Sequence, residues 1–386
     1  MSFSLTLTPE AALLRNSLRQ QILELSSNLP DRPAFESLAL AVFQYQAVFN
    51  PLYKAYLHHL NCQPEQIRNL RQVPFMPIGF FKKHPVLSGI DTTCNPESTD
   101  TLTFASSGTT GEQTSRHFVP DLALYNTIST QIFEQTYGPL NNFHILALLP
   151  SYLERNNSSL VYMVQQFMAQ SESFRSNHSQ MNGADEPTSG FFLHNHAELT
   201  ERLRKLAQQP DQKKILLIGV TFGLLDWAES EPDLSFLGTL PNLIVMETGG
   251  MKGRRKELLR EEVHEILTKR LGVQAIHSEY GMTELLSQAY SKGDGLFQPS
   301  ATLRVFLRDI NDPFSLYPEI TNRLGSRQTG GMNIVDLANL DSCSFIETQD
   351  LGQYVSLEGE ATPSGNFRVI GRFDNSDVRG CNLMIE

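Results

Sequence analysis

Three short apolar runs, residues 144–149, 214–220 and 242–246, constrain this chain more than any other feature. Each is bounded by glycine, proline or polar residues and looks like a buried strand. After the third run the apolar spacing turns helical, with Leu258, Leu259, Val263, Ile266 and Leu267 on one face. Strands alternating with helices imply an α/β fold with substantially parallel sheets. The first 70 residues have a different texture. Leu13, Leu14, Leu18, Ile22, Leu23 and Leu25 recur at helical spacing within residues 11–26, and residues 34–57 continue in the same rhythm. Pro74, Pro77 and Pro85 then break the pattern, so residues 75–81 read as extended or turning. The expected organisation is a mainly helical region over residues 1–97 and an α/β core over residues 98–386, both parts of one domain. Residues 171–189, rich in Ser, Asn, Gly and Pro, read as a mobile loop.

Composition narrows the partners. Of 386 residues, 40% are hydrophobic and 19% charged, which is enough for a sizeable core. A net charge of -11 argues against nucleic acid and against anionic membrane surfaces. The longest apolar stretch, residues 215–225, falls short of the ~20 residues a membrane span needs, so no stable membrane insertion is expected. No basic segment followed by an apolar one opens the chain. Cys62, Cys94, Cys343 and Cys381 are widely spaced and form no Cys-x-x-Cys pair. Free thiols in a reducing compartment follow, and the expected location is cytoplasmic.

Three constellations bear chemistry. Ser106, Ser107, Gly108, Thr109, Thr110 and Gly111 combine small residues with hydroxyls. Such a loop can bend tightly and turn several N–H groups onto one anion, although the same composition makes a polar surface turn. It is not a Walker A loop, because no Gly-Lys-Ser/Thr follows. Next, Glu279-Tyr280-Gly281-Met282-Thr283-Glu284 offers an aromatic to stack a base, a glycine to admit a phosphate and a carboxylate for Mg²⁺. Magnesium favours one or two carboxylates plus substrate phosphates. Taken alone, that string also reads as a helix start. Last come Glu347-Thr348-Gln349-Asp350 and Gly371-Arg372-Phe373-Asp374, where an Asp can accept ribose hydroxyls and an Arg can reach ribose or phosphate.

In this order, Ser-Ser-Gly-Thr-Thr-Gly, Glu-Thr-Gly-Gly, Tyr-Gly-Met-Thr-Glu, Thr-Gln-Asp and Gly-Arg-Phe-Asp resemble the adenylate-forming superfamily. Within it, residues 75–83, 148–155, 158–163 and 278–288 and the terminal Arg379-Gly380-Cys381 resemble the acyl-protein synthetases of bacterial luminescence. The resemblance covers most of the chain from about residue 70 and implies the superfamily's large-domain fold, layered sheets with flanking helices. It implies that residues 106–111 hold the phosphates of ATP. Gly249 and Gly250 would line one face of adenine and Tyr280 the other, with Gly281 beside it. Thr283 would contact the α-phosphate, Glu284 would bind Mg²⁺ and Asp350 would take the ribose with Arg372 close by.

Three departures sharpen the expectation. Gln113-Thr114-Ser115 stands where the superfamily usually has Pro-Lys-Gly, so the loop lysine is missing; Lys252 or Arg254 could supply that cation. Thr-Gln-Asp replaces the usual Thr-Gly-Asp. Superfamily ligases continue into a small lid domain, whereas Glu386 lies only 12 residues beyond Asp374, so the fold is expected to lack that lid. Cys381 matches the acyl-accepting cysteine of acyl-protein synthetases. The implied activity is conversion of a carboxylic acid, in that family a fatty acid, to acyl-AMP, then transfer to Cys381 and to a fatty acyl reductase partner. The competing readings are an acyl- or aryl-CoA ligase similar to phenylacetate-CoA ligases and a non-catalytic nucleotide-binding scaffold. His117, His144 and His277 lie near these motifs and read as structural histidines.

Overall fold

The computed structural model describes residues 7–27, 32–90, 101–106, 113–150, 157–178, 189–208, 213–249, 258–318, 328–355 and 365–373. In chain order these form α1 (Pro9–Ser27), α2 (Arg32–Phe49), α3 (Pro51–His59), β1 (Met76–Pro77), α4 (Phe80–Lys83), β2 (Leu102–Ala105) and β3 (Arg116–Val119). There follow α5 (Leu122–Tyr137), β4 (Phe143–Leu148), α6 (Ser159–His178), β5 (Gly190–Phe191), α7 (His196–Gln208), β6 (Lys214–Gly219), α8 (Thr221–Ser230), β7 (Leu243–Glu247) and α9 (Arg260–Leu271). The last part is mainly strand: β8 (His277–Tyr280), β9 (Ala289–Ser291), β10 (Phe297–Gln298), β11 (Leu303–Arg308), β12 (Thr329–Asp336), β13 (Phe345–Tyr354) and β14 (Phe367–Arg372).

Among the described residues, twelve strands join one sheet in the order β11-β12-β13-β14-β10-β9-β8-β7-β6-β4-β5, with β1 beside β13. The three apolar runs of the sequence become β4, β6 and β7, which pair in parallel. Side chains alternate across a strand, so these runs feed two layers. Ile145, Ala147, Leu216, Ile218 and Met246 pack with α5 and α6 through Ile128, Ile132, Phe133, Met163 and Phe167. Leu146, Leu148, Leu217 and Val245 face the other way, onto Leu199, Leu203, Leu224, Trp227, Val263 and Leu267 of α7, α8 and α9. From β9 onward the strands pair antiparallel with their sheet neighbours, except that β1 joins β13 in parallel.

The N-terminal helices share the first of these cores. Gln46, fully buried in α2, donates to the carbonyls of Asn339 at 2.9 Å and Leu340 at 3.1 Å and accepts the Ser344 N–H at 2.9 Å. Asn50 caps α3 by accepting the Tyr53 N–H at 2.9 Å, with Pro51 in the first turn. Met76 of β1 pairs with Ile346 of β13.

Three expectations need correction. Leu13 and Leu14 are 79% and 52% exposed, while Arg15 is buried in α1. Its guanidinium bridges Asp121 and Asp341, so an ion-pair network shares the inner face with Leu18 and Ile22. In α9, Val263 and Leu267 are buried but Leu259 and Ile266 are not. Residues 171–178, expected as loop, continue α6; the helix is carried by packing upstream at Val161, Val164 and Phe167. Among the described residues, no helix is long and apolar enough to cross a membrane.

Candidate functional site

The parallel strands end on the side where the chemistry collects, as expected of α/β sheets. β7 delivers Glu247, which is buried and bonded on both oxygens. Oε2 accepts the Gly249 N–H at 2.6 Å and the Thr221 hydroxyl at 3.0 Å. Oε1 accepts Arg260 Nε at 3.1 Å, with His264 Nε2 at 3.7 Å. Burial alone would raise this carboxyl, but His264, Arg260, Ser278 and the Gly249 amide together hold it at about 2. Gly249 is thereby fixed at φ +75°, a conformation L side chains rarely adopt, with open space where a Cβ would stand. Gly250, Lys252 and Arg254 lie outside the described residues.

β8 delivers the second motif. Tyr280 is buried with its ring edge against Phe297 and Phe367, at 5.8 and 5.7 Å between centroids. Its hydroxyl donates to Asp350 Oδ2 at 2.7 Å. Asp350 and Arg372 are register partners on β13 and β14, and Arg372 Nε stands 3.2 Å from Asp350 Oδ1. Burial raises the Asp350 carboxyl, opposed by Arg372 and Tyr280. Glu279, facing away from this cluster, is pushed up to about 8 by burial and by Glu247.

Past Tyr280 the chain turns through Gly281, Met282, Thr283 and Glu284, and two carbonyls of that turn are tied down. His117 Nδ1 lies 2.8 Å from the Thr283 carbonyl, and Asn339 Nδ2 donates to the Glu284 carbonyl at 2.7 Å. Just beyond, the buried Asp336 accepts the N–H groups of Leu286, Ser287 and Ala338 and the Ser287 hydroxyl, at 2.6–3.0 Å. The Glu284 carboxyl is itself buried, which raises it; the Ser115 hydroxyl and Arg372 oppose the rise. A desolvated single carboxylate of this kind fits Mg²⁺ that takes its remaining ligands from phosphates and water.

The first motif is held at its base. β2 and β3 pair from Leu102↔Val119 to Ala105↔Arg116. Ser106 N–H donates to the Ser115 carbonyl at 3.1 Å, and its hydroxyl accepts the Ser115 N–H at 2.9 Å. Ser107, Gly108, Thr109, Thr110 and Gly111 lie outside the described residues, as does Cys381.

Asp350, Tyr280, Arg372, Thr283 and Glu284 thus come from separate stretches into one region, and Ser106 closes the hairpin beside it. Sequence reasoning missed the residues that set them. Arg308, 6% exposed at its side chain, donates to the Thr348 carbonyl at 2.8 Å and Asn333 Oδ1 at 3.0 Å. A Cβ on Gly331 would stand 2.5 Å from its guanidinium carbon. The one available signal was a charged residue closing an apolar strand pattern, as at Glu247, Arg308 and Asp336.

A family model for acyl-protein synthetases, LuxE, matches residues 17–386. No curated protein sequence matches the chain. Among solved structures, the chain is similar to the R395G mutant form of coronafacic acid ligase from Pectobacterium brasiliense, at 14% identity and a TM-score of 0.37. The similarity covers 63% of this chain and spans 43% of that ligase.

Proposed function

The chain belongs to the acyl-protein synthetase family, and from that premise we propose that it converts a carboxylic acid and ATP to acyl-AMP and passes the acyl group to Cys381. In the first step a carboxylate oxygen attacks the α-phosphorus of ATP, forming a mixed anhydride and expelling pyrophosphate. In the second the Cys381 thiolate attacks the acyl carbon, forming a thioester and releasing AMP. A protein acceptor, in this reading a fatty acyl reductase, then receives the acyl group from Cys381. We assign a fatty acid as the substrate and the cytoplasm as the location.

The observation that supports this best is the convergence of Tyr280, Asp350 and Arg372 beside the Thr283–Glu284 turn. Asp350 would hold ribose hydroxyls through oxygens that Tyr280 and Arg372 already orient. Thr283 would donate to the α-phosphate, and Glu284 would hold Mg²⁺, which neutralises charge on the phosphates. With no lysine in the loop at residues 106–111, its backbone N–H groups and hydroxyls would grip phosphate.

Carboxylate-dependent ATP–pyrophosphate exchange over a panel of fatty and aryl acids tests the first step. We expect exchange in the wild type, its loss in Glu284→Gln and its survival in Cys381→Ser. Intact mass should show a hydroxylamine-labile acyl adduct that Cys381→Ser lacks. An adduct that persists in Cys381→Ser removes the thioester role. Acyl-CoA formed on adding coenzyme A, without any protein adduct, would favour the CoA-ligase reading. Absence of exchange with every acid would leave a nucleotide-binding scaffold.

A further inference from the structure

We propose that Ser115 and His117 are positioning residues: they join the base of the β2–β3 hairpin, where Ser106 pairs with Ser115, to Thr283 and Glu284, so that the hairpin base and the metal-binding turn are set together. This rests on the adenylation reading. Ser115 comes just before β3 begins, and His117 lies within that strand. Both are buried, at 3% and 1% exposure.

The bond from His117 has a defined sense. The Thr283 carbonyl can only accept, so Nδ1, 2.8 Å away, carries the proton. Phe81 meets the imidazole edge to face at 5.4 Å and fixes its plane. Among the described residues, Nε2 is buried without a partner, as is the Ser342 hydroxyl, and both residues line a cavity of about 10 Å³. That volume has room for one water, which can donate to Nε2. Burial holds the ring's pKa at about 4, so it is neutral under working conditions.

Ser115 completes the link. Its backbone exchanges two hydrogen bonds with Ser106 at the loop's base, and its side chain is one of the groups that oppose the rise burial imposes on the Glu284 carboxyl. A shift of the hairpin when phosphate binds therefore reaches Thr283 through the imidazole and is felt at Glu284 through the neighbouring Ser115 side chain. Neither residue is placed to touch the reacting atoms. Their effect is on where the groups that do so stand.

The test uses the full chain, the acid giving fastest exchange, and titrations of Mg²⁺, ATP and acid, with Mg·ATP binding by calorimetry. Ser115→Ala should raise the Mg²⁺ needed for half-maximal exchange about tenfold and leave KM for the acid unchanged. His117→Leu should lower kcat roughly ten- to hundredfold, and His117→Asn, whose amide can donate near the Nδ1 position, should recover most of it. Folded Ser115→Ala and His117→Leu with wild-type Mg²⁺ dependence and kcat would overturn the proposal. So would equal kcat for His117→Asn and His117→Leu at matched melting temperatures. Should His117→Leu fail to fold, the Mg²⁺ shift of Ser115→Ala decides. A wild type that neither binds Mg·ATP nor supports exchange sinks the adenylation reading and this proposal with it. An active wild type with indifferent variants sinks this proposal alone.

Discussion

The two halves of the sheet bury different things. In the parallel half, Ile145, Leu146, Ala147, Leu216, Leu217, Val245 and Met246 fill both faces of β4, β6 and β7, and the ionisable groups sit at or beyond the strand ends, as Glu247 does. In the antiparallel half, β11 to β13 bury Arg308, Asn333, Asp336, Thr348 and Asp350 among comparable aliphatics. A parallel strand covered by helices on both sides offers a polar group no water and few partners, so polarity is confined to its ends. The antiparallel strands bring their polar groups opposite one another and satisfy them in pairs and clusters. The first half is therefore a platform, and the second holds Asp350 and the Thr283–Glu284 turn in place.

Substitutions can break that division of labour. The largest effect is expected for Asp336→Ala, which strips three N–H groups and a hydroxyl of their acceptor. We expect a loss of about 4 kcal/mol in urea denaturation, together with a raised KM for ATP because the turn after Thr283 loosens. Leu217→Ala in the platform should lose about 3 kcal/mol yet leave that KM unchanged in the folded fraction. If both variants disturb ATP equally, the comparison is wrong.

Glu247→Gln probes the boundary between the halves. Its carboxyl is held at about 2 against an ordinary value of 4.5, so its contribution is present above about pH 4.5 and disappears as pH falls towards 2. By linkage that contribution is roughly 3 kcal/mol. Wild type and Glu247→Gln should differ by up to that amount at neutral pH and converge on acidification in pH-dependent denaturation. A gap that stays constant with pH would mean the carboxyl is not the source. Smallest is Tyr280→Phe, expected to lose about 1 kcal/mol and to raise the KM for ATP a few-fold by freeing one oxygen of Asp350.

Legibility in the sequence follows the same division. The platform strands were readable because continuous apolar runs have few other structural uses, and β4, β6 and β7 match them within a residue or two. The motif residues Tyr280, Asp350 and Arg372 were readable by their order along the chain. Their supports were not. Arg308 and Asp336 are charged residues that close apolar strands; the partners of Arg308 appear only on pairing β11 with β12 and β13, and those of Asp336 only when the chain at Leu286 and Ser287 comes beside it. His117 was read as a structural histidine, which its burial and bond support, but its reach to Thr283 depends on a contact 166 residues away. The helix of residues 11–26 was legible in its spacing, but the burial of Arg15 beside Leu18 and Ile22 depends on Asp121 and Asp341, far along the chain.

Gly331 and Arg308 are two positions that behave as one. The guanidinium occupies the space a side chain on Gly331 would take, so an alanine there forces the arginine out of its bonds to Asn333 and Thr348. Shortening Arg308 would make room for the alanine but leave Glu347 without its buried cation. A substitution at either position alone is therefore expected to disturb the other's contacts. In evolutionary terms the two are expected to change together, and a library that varies both positions at once should keep more folded members than one that varies either alone.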